Sequence, residues 1–170
     1  MDTLLYRSNL LASTHSFIHD LSHSSPLPTL LSHFPAPSSL PEPIITEHGT
    51  PHSLTPFVGT YTGRESVVRY FSLLSERLRT GRLEFEEGAV EEEKGVVWCR
   101  GEGEFTVLRT GKSWRESIAY RLRWTQQEGR LVLVEWEIWA GASECFRLKR
   151  WELTRDADTL GAFLASVQDR

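Results

Sequence analysis

The stretch KSWRESIAYRLRWTQQEGRLVLVEWEIWAG, residues 112–141, decides the fold. Its first half puts Trp114, Glu116, Ile118, Tyr120, Leu122 and Trp124 at every second position, with Arg115, Ser117, Ala119, Arg121 and Arg123 between them. Period two sends side chains to opposite faces of a sheet. This run therefore predicts a long strand with one aromatic and aliphatic face and one basic and small face. Glu116 is the exception, a carboxylate in the apolar register. After a polar connection at Gln126–Gly129 a second strand follows, so the two form a hairpin.

Outward from this hairpin the same signals recur. Leu83–Glu91 and Gly95–Leu108 read as strands, with turns at Glu91–Gly95 and Thr110–Ser113. Before them, Glu65 to about Arg79 reads as a helix, with Val67, Val68, Phe71, Leu74 and Leu78 on one side and Gly81 as its stop. Gly49–Gly63 reads as a loop and Pro43–His48 as a short strand. Thr3 to about Ser22 is a helix with an apolar stripe of Leu4, Leu10, Leu11, Phe17, Ile18 and Leu21. Residues 24–43 form a proline-rich connection with a short helix at Leu27–His33, because proline cannot sit inside a helix or a central strand. Downstream, Glu144–Trp151 reads as a strand and residues 156–168 as a closing helix. The expectation is one domain, 1–170, of the α+β class. A strongly curved antiparallel sheet packs against N-terminal helices to form a cone-shaped cavity, with a C-terminal helix added.

Composition narrows the function. The 170 residues are 39% apolar and 25% charged, which suits one globular domain with a sizeable core. A net charge of −4 with no basic block argues against a nucleic-acid partner. No apolar run approaches a membrane span, so no membrane partner is expected. The N-terminal apolar residues are interrupted by His15, His19 and Asp20 and lack a basic start, unlike a signal peptide. Cys99 and Cys145 are too few for a disulfide framework, and both read as reduced, buried thiols. A cytoplasmic protein is expected.

Several residues are candidates for chemistry. His48 ends a strand where a cone would open, and its imidazole could take a proton next to a carbonyl; otherwise it is a turn histidine in water. Glu116 on an apolar face must be paired, protonated or at a ligand; a register slip or an arginine on the next strand would equally explain it. Tyr61 and Arg64, in the loop before the helix, could close over an anionic or enolised ligand, or simply be polar loop residues. Trp98 and Arg100 would clamp an oxyanion if they face inward. The solvated alternative places Arg100, Glu102 and Glu104 outside. Glu135 and Glu137 share a face and suit solvent or arginines such as Arg121 and Arg123. Tyr120 and Trp136 are expected to line the cone and stack a flat or aromatic ligand. His15, His19 and His23 align at four-residue spacing, but no acid or cysteine completes a zinc set, so no metal is expected. No phosphate loop, GxSxG or CxxC is present in the sequence.

The order of elements resembles the nuclear transport factor two-like superfamily, and within it the SnoaL-like proteins, as a fungal member. The residues that carry this are Thr46-Glu47-His48-Gly49, Phe57-Val58-Gly59 followed by Gly63-Arg64-Glu65, Thr110-Gly111-Lys112-Ser113-Trp114, and Gly129-Arg130-Leu131 through Trp136-Glu137-Ile138-Trp139-Ala140. The match covers roughly residues 4 to 150. The resemblance implies a cone-shaped barrel, often a homodimer through the sheet, that handles a small hydrophobic or aromatic ligand. It also implies a cofactor-free isomerase, cyclase or dehydratase of secondary metabolism, with His48 and Glu116 moving protons; the alternative is a non-catalytic binding or dimerisation module. Where members often carry an acid after the last segment, this chain has Gly141 and Ala142, and its proline-rich segment before Ile44 is an addition.

Overall fold

The computed structural model describes residues 3–37, 39–49 and 56–140. The strand expected at 144–151, the helix expected at 156–168 and Cys145 lie outside the described residues. In chain order the elements are α1 (Thr3–Ser22), α2 (Leu27–Ser32), β1 (Ile44–His48), β2 (Gly59–Thr62), α3 (Arg64–Arg77), β3 (Leu78–Glu91), a 3₁₀ turn (Glu92–Lys94), β4 (Val96–Val107), β5 (Ser113–Gln127) and β6 (Arg130–Ala140). The strands form one curved sheet in the order β2-β1-β6-β5-β4-β3.

The hairpin of β5 and β6 is the centre of the sheet. Its turn has two residues, Glu128 at φ 49° and Gly129 at φ 81°. Two left-handed residues make the turn whose twist matches that of paired strands. Between Arg123 and Trp124 the register slips by one residue, so Trp124 faces Leu133 while Arg123 faces Glu135. The slip keeps Leu133 and Trp136 both in the core although three residues separate them.

The sheet is mixed, where an antiparallel one was expected. β1 lies parallel to β6, with Ile45 beside Trp136 and Glu47 beside Ile138, and antiparallel to β2. β2 falls inside the segment read as a loop; four residues, GTYT, were too few to show an alternation. The third difference is at α3. The helix passes into β3 without a connection, Leu78 being already extended at φ −126° and ψ 145°. Pairing of Leu78 with Val107 and Thr80 with Phe105 overrides the helical spacing that continues through Leu78. Gly81 therefore sits within a strand, at a register slip between Thr80 and Leu83, and stops no helix.

The concave face of the sheet carries the core. From α1, Leu10, Phe17 and Leu21 are buried; from α3, Val67, Tyr70 and Phe71; from the sheet, Ile45, Ile118, Tyr120, Leu122, Trp124, Leu133, Trp136 and Ile138. Trp136 is the hub, with the rings of Phe17, Tyr70 and Tyr120 edge-on to it at 4.9, 5.9 and 5.2 Å. The Trp124 indole donates to Thr14 Oγ1 at 3.0 Å, satisfying the buried polar atoms where α1 crosses the sheet. In β4, Gly101 and Gly103 occupy the same parity as Phe105. A Cβ on Gly101 would lie 2.0 Å from the Glu84 carbonyl oxygen, and one on Gly103 2.5 Å from the Phe105 ring. Both sites demand glycine so that β3 and β5 side chains can close over the bent strand.

Candidate active site

The concave face does not fill completely. A cavity of about 430 Å³ remains, walled by β1, β3, β4, β5, β6 and α3. Most of its lining is apolar: Leu74, Leu78, Leu83, Phe105, Ile118 and Trp136 among others. Five ionisable residues, Glu47, His48, Tyr70, Glu116 and Tyr120, also border it. This is the composition of a small-molecule site, apolar walls with a few convergent polar groups.

Glu47 comes from β1. In that strand Ile45 and Glu47 are buried, whereas Ile44, Thr46 and His48 are only half-buried. Glu47 is 7% exposed, one of two buried polar residues in the described core. Burial pushes its carboxyl up to about 7, opposed by a hydrogen bond from the Tyr70 hydroxyl at 2.6 Å and reinforced by the negative charge of Glu116. Tyr70 comes from α3, one turn past Val67, and its ring rests on Tyr61 and Phe71 at 5.1 and 5.5 Å. Burial and the Glu47 carboxylate push the phenols of Tyr70 and Tyr120 well up, so both keep their protons as donors. Tyr120 is held by Phe85 at 4.6 Å and Trp136 at 5.2 Å between ring centroids. The arrangement puts a carboxyl group poised near neutral pH beside a phenol that stays protonated, in a site that excludes bulk water.

The structure sorts the residues predicted from sequence. Glu116, Tyr120 and Trp136 line the cavity, as their shared parity on β5 and β6 requires. His48 also borders the cavity, and its ring is held by two neighbours. Nε2 lies 3.1 Å from Glu137 Oε2, and the imidazole stacks on Trp139 at 4.5 Å and 4°. The neighbouring Glu47 is the residue of this pair that β1 buries. Trp98 and Arg100 do not clamp a ligand in the cone. Trp98 donates to Glu91 at 2.8 Å and Arg100 holds Glu86 at 2.8 Å, both on the outer face. Arg64 donates to the carbonyl oxygens of Pro35 at 2.6 Å and Leu31 at 3.3 Å, tying α3 to the segment after α2. Tyr61 packs behind Tyr70 and is absent from the cavity wall.

Glu47 and Tyr70 were missed as a pair. The signal for Glu47 was its phase with Ile45 in IITEH, and for Tyr70 its place on the stripe of Val67, Phe71 and Leu74. The expected solvated charges are in place: Arg121 bridges Glu135 at 3.0 Å and Glu137 at 2.8 Å, Arg123 holds Glu135 at 2.6 Å, and Arg115 holds Glu102 at 2.5 Å.

No family model and no curated protein matches this chain. Solved structures do share its fold. It is similar to a candidate polyketide cyclase from Xanthomonas campestris at TM-score 0.62 and 9% identity, covering 84% of this chain and 97% of that one. A candidate polyketide cyclase from Silicibacter superposes at TM-score 0.60 and 8% identity over 84% and 96% of the two chains. An NTF2-like protein from Burkholderia thailandensis gives TM-score 0.54 and 20% identity over 84% and 98%. The fold is thus that of the NTF2-like and SnoaL-like proteins. These neighbours are bacterial, and the fungal source expected from sequence gains no support. Among the described residues no helix is long and apolar enough to cross a membrane.

Proposed function

We propose that this chain is a cofactor-free acid–base enzyme that moves a proton next to a carbonyl on a small apolar or aromatic molecule, an isomerase, cyclase or dehydratase. The observation that carries it is Glu47: a carboxyl group enclosed in an apolar cavity, held by Tyr70 at 2.6 Å and tuned to about 7. A base is most effective when its pKa lies near working pH, because it is then both available and strong. Glu47 takes the proton α to the carbonyl. The enolate oxygen accepts a hydrogen bond from the Tyr120 phenol, which keeps its own proton. Glu116, on the neighbouring wall, returns a proton at a second carbon or to a leaving hydroxyl. Tyr70 orients Glu47 and prevents it from turning away.

Candidate polyketide cyclases and a ketosteroid isomerase-like protein from Erwinia carotovora share this fold, which supports the reading of a small-molecule cyclase or isomerase. A role in secondary metabolism, a single-domain organisation and a homodimer through the outer sheet face belong to the same proposal. The test is deuterium exchange at the α-carbon of polycyclic ketones, followed in D₂O by mass spectrometry. Exchange is expected with the native protein and lost in Glu47→Gln. Exchange that survives this substitution rules out Glu47 as the base.

A further inference from the structure

The cavity at Glu47 has a second compartment. A groove of about 470 Å³ lies between the end of α1, the C-terminal half of α3 and the start of β3. Leu21, Leu74, Leu78 and Thr80 line both hollows, so the two adjoin at three leucines and a threonine, the neck between them. Beyond the neck the groove is apolar on Leu27, Leu30, Phe71 and Leu108 and polar on Ser24, Ser25, Ser72 and Ser75. Leu108, 49% exposed, is one of two large apolar side chains left in water among the described residues.

The rim of this groove is cationic. Arg79 lines it. Leu108 N–H donates to the Arg77 carbonyl at 2.9 Å, which brings Arg77 and Arg109 to the same edge. None of Arg77, Arg79 and Arg109 has an acidic partner among the described residues. Arg7, Arg82, Arg100, Arg115, Arg121 and Arg123 all have one. In a chain of net charge −4, a local group of arginines without acids is a preference for an anion.

We propose that the protein takes an elongated amphipathic anion. Its deep end lies beside Glu47, its apolar body passes the Leu21–Leu74–Leu78 neck, and its terminal carboxylate or phosphate meets Arg79 at the rim. This rests on the reading of the Glu47 cavity as the ligand site, but its evidence is the shared lining of two adjoining hollows and the charge at one end. A molecule confined to the first cavity would leave the neck, the groove and the arginines without a purpose.

The test is displacement of a naphthalene-sulfonate dye from the full chain by straight-chain carboxylates of eight to sixteen carbons, by the alkyl phosphates and by the matching alcohols. Affinity is expected to rise with chain length and to favour either anion over the alcohol by about tenfold, the effect of roughly one charge-assisted contact. Arg79→Glu, an exposed substitution, is expected to abolish the anion preference while leaving short ligands unaffected. Leu74→Trp, which narrows the neck, is expected to weaken long ligands more than short ones, with the thermal midpoint measured alongside. Affinity independent of length, or an anion preference that survives Arg79→Glu, overturns the proposal. Either result can coexist with exchange chemistry at Glu47, and loss of that exchange chemistry can coexist with a length-dependent series, so the two readings fail separately.

Discussion

The two faces of one sheet treat the same residue types in opposite ways. On the concave face Glu47 is enclosed, accepts a hydrogen bond from a neutral phenol, and is pushed up to about 7. On the convex face Glu135 is held below the usual carboxylate range by hydrogen bonds from Arg123 and Arg121. The backbone positions are close: Glu47 pairs with Ile138, one residue from Glu137 on β6. A strand sends consecutive side chains to opposite sides, so a step of one residue separates an enclosed acid from an ion-paired one. Desolvation without a cation raises a carboxyl pKa, whereas a paired guanidinium lowers it. The face decides the chemistry, and the residue type does not.

The largest expected effect breaks this comparison at its reactive side. Glu47→Gln should lower turnover by about 10²–10⁴-fold, the usual contribution of a positioned base. In the native protein turnover should climb with pH and level off above about 7, since the base must be ionised. A profile flat across that value, read by steady-state kinetics, argues against Glu47. Next, Trp136→Ala removes the shared hub behind the site and should cost about 3–5 kcal/mol in denaturant unfolding, as large aromatic deletions from cores do. A cost below 1 kcal/mol would mean the site does not depend on that packing.

Stability against pH sharpens the contrast by sign. Glu47 has a folded pKa of about 7, above the ordinary 4.5, so the unfolded chain gives up its proton first. Its contribution is intact below about 4.5 and declines as pH rises toward about 7, by up to about 3 kcal/mol in total. Glu47→Gln should flatten that decline. Glu135 runs the other way, because its folded pKa is depressed: it stabilises above the ordinary carboxylate value, and that support is lost as pH falls. Urea titrations of Glu47→Gln and Glu135→Gln against the native protein from about pH 3 to 8 give the two slopes; slopes of the same sign would cancel the distinction between the faces.

Smaller effects lie on the convex face. Arg121→Ala breaks half-buried bridges to Glu135 and Glu137 and should cost about 1 kcal/mol, since partly solvated ion pairs contribute little. His48→Gln should cost less still and lower turnover far less than Glu47→Gln, because its ring is held by Glu137 and stacked on Trp139. A His48 variant without turnover would move the base to the other face and undo the comparison.

The period-two run from Trp114 to Trp124 and the polar break before Arg130 were enough to read the central hairpin, its apolar face and the odd placement of Glu116. The arginine and glutamate alternation likewise foretold the ion pairs of the outer face. Such features are local, because strand parity and turn chemistry follow from neighbours in sequence. That Glu47, beside His48, is the enclosed residue was not legible, for a physical reason. PIITEH is too short for its phase to be fixed by pattern alone, and only the pairing with β6 shows which side faces the core.

Contacts between distant segments settled the rest. Tyr70 meets Glu47 across 23 residues of chain, β1 runs parallel to a strand nearly ninety residues later, and α3 gives way to β3 because Val107 and Phe105 wait to pair with it. The amino-acid order by itself determined the long strands, the two faces of the central hairpin and the α+β class, since those depend on local spacing; β2 and the phase of β1 escaped it. Which carboxyl group is enclosed, and so which one titrates near neutral pH, was decided by the tertiary structure alone, because desolvation is a property of everything packed around a group and of nothing in its immediate sequence.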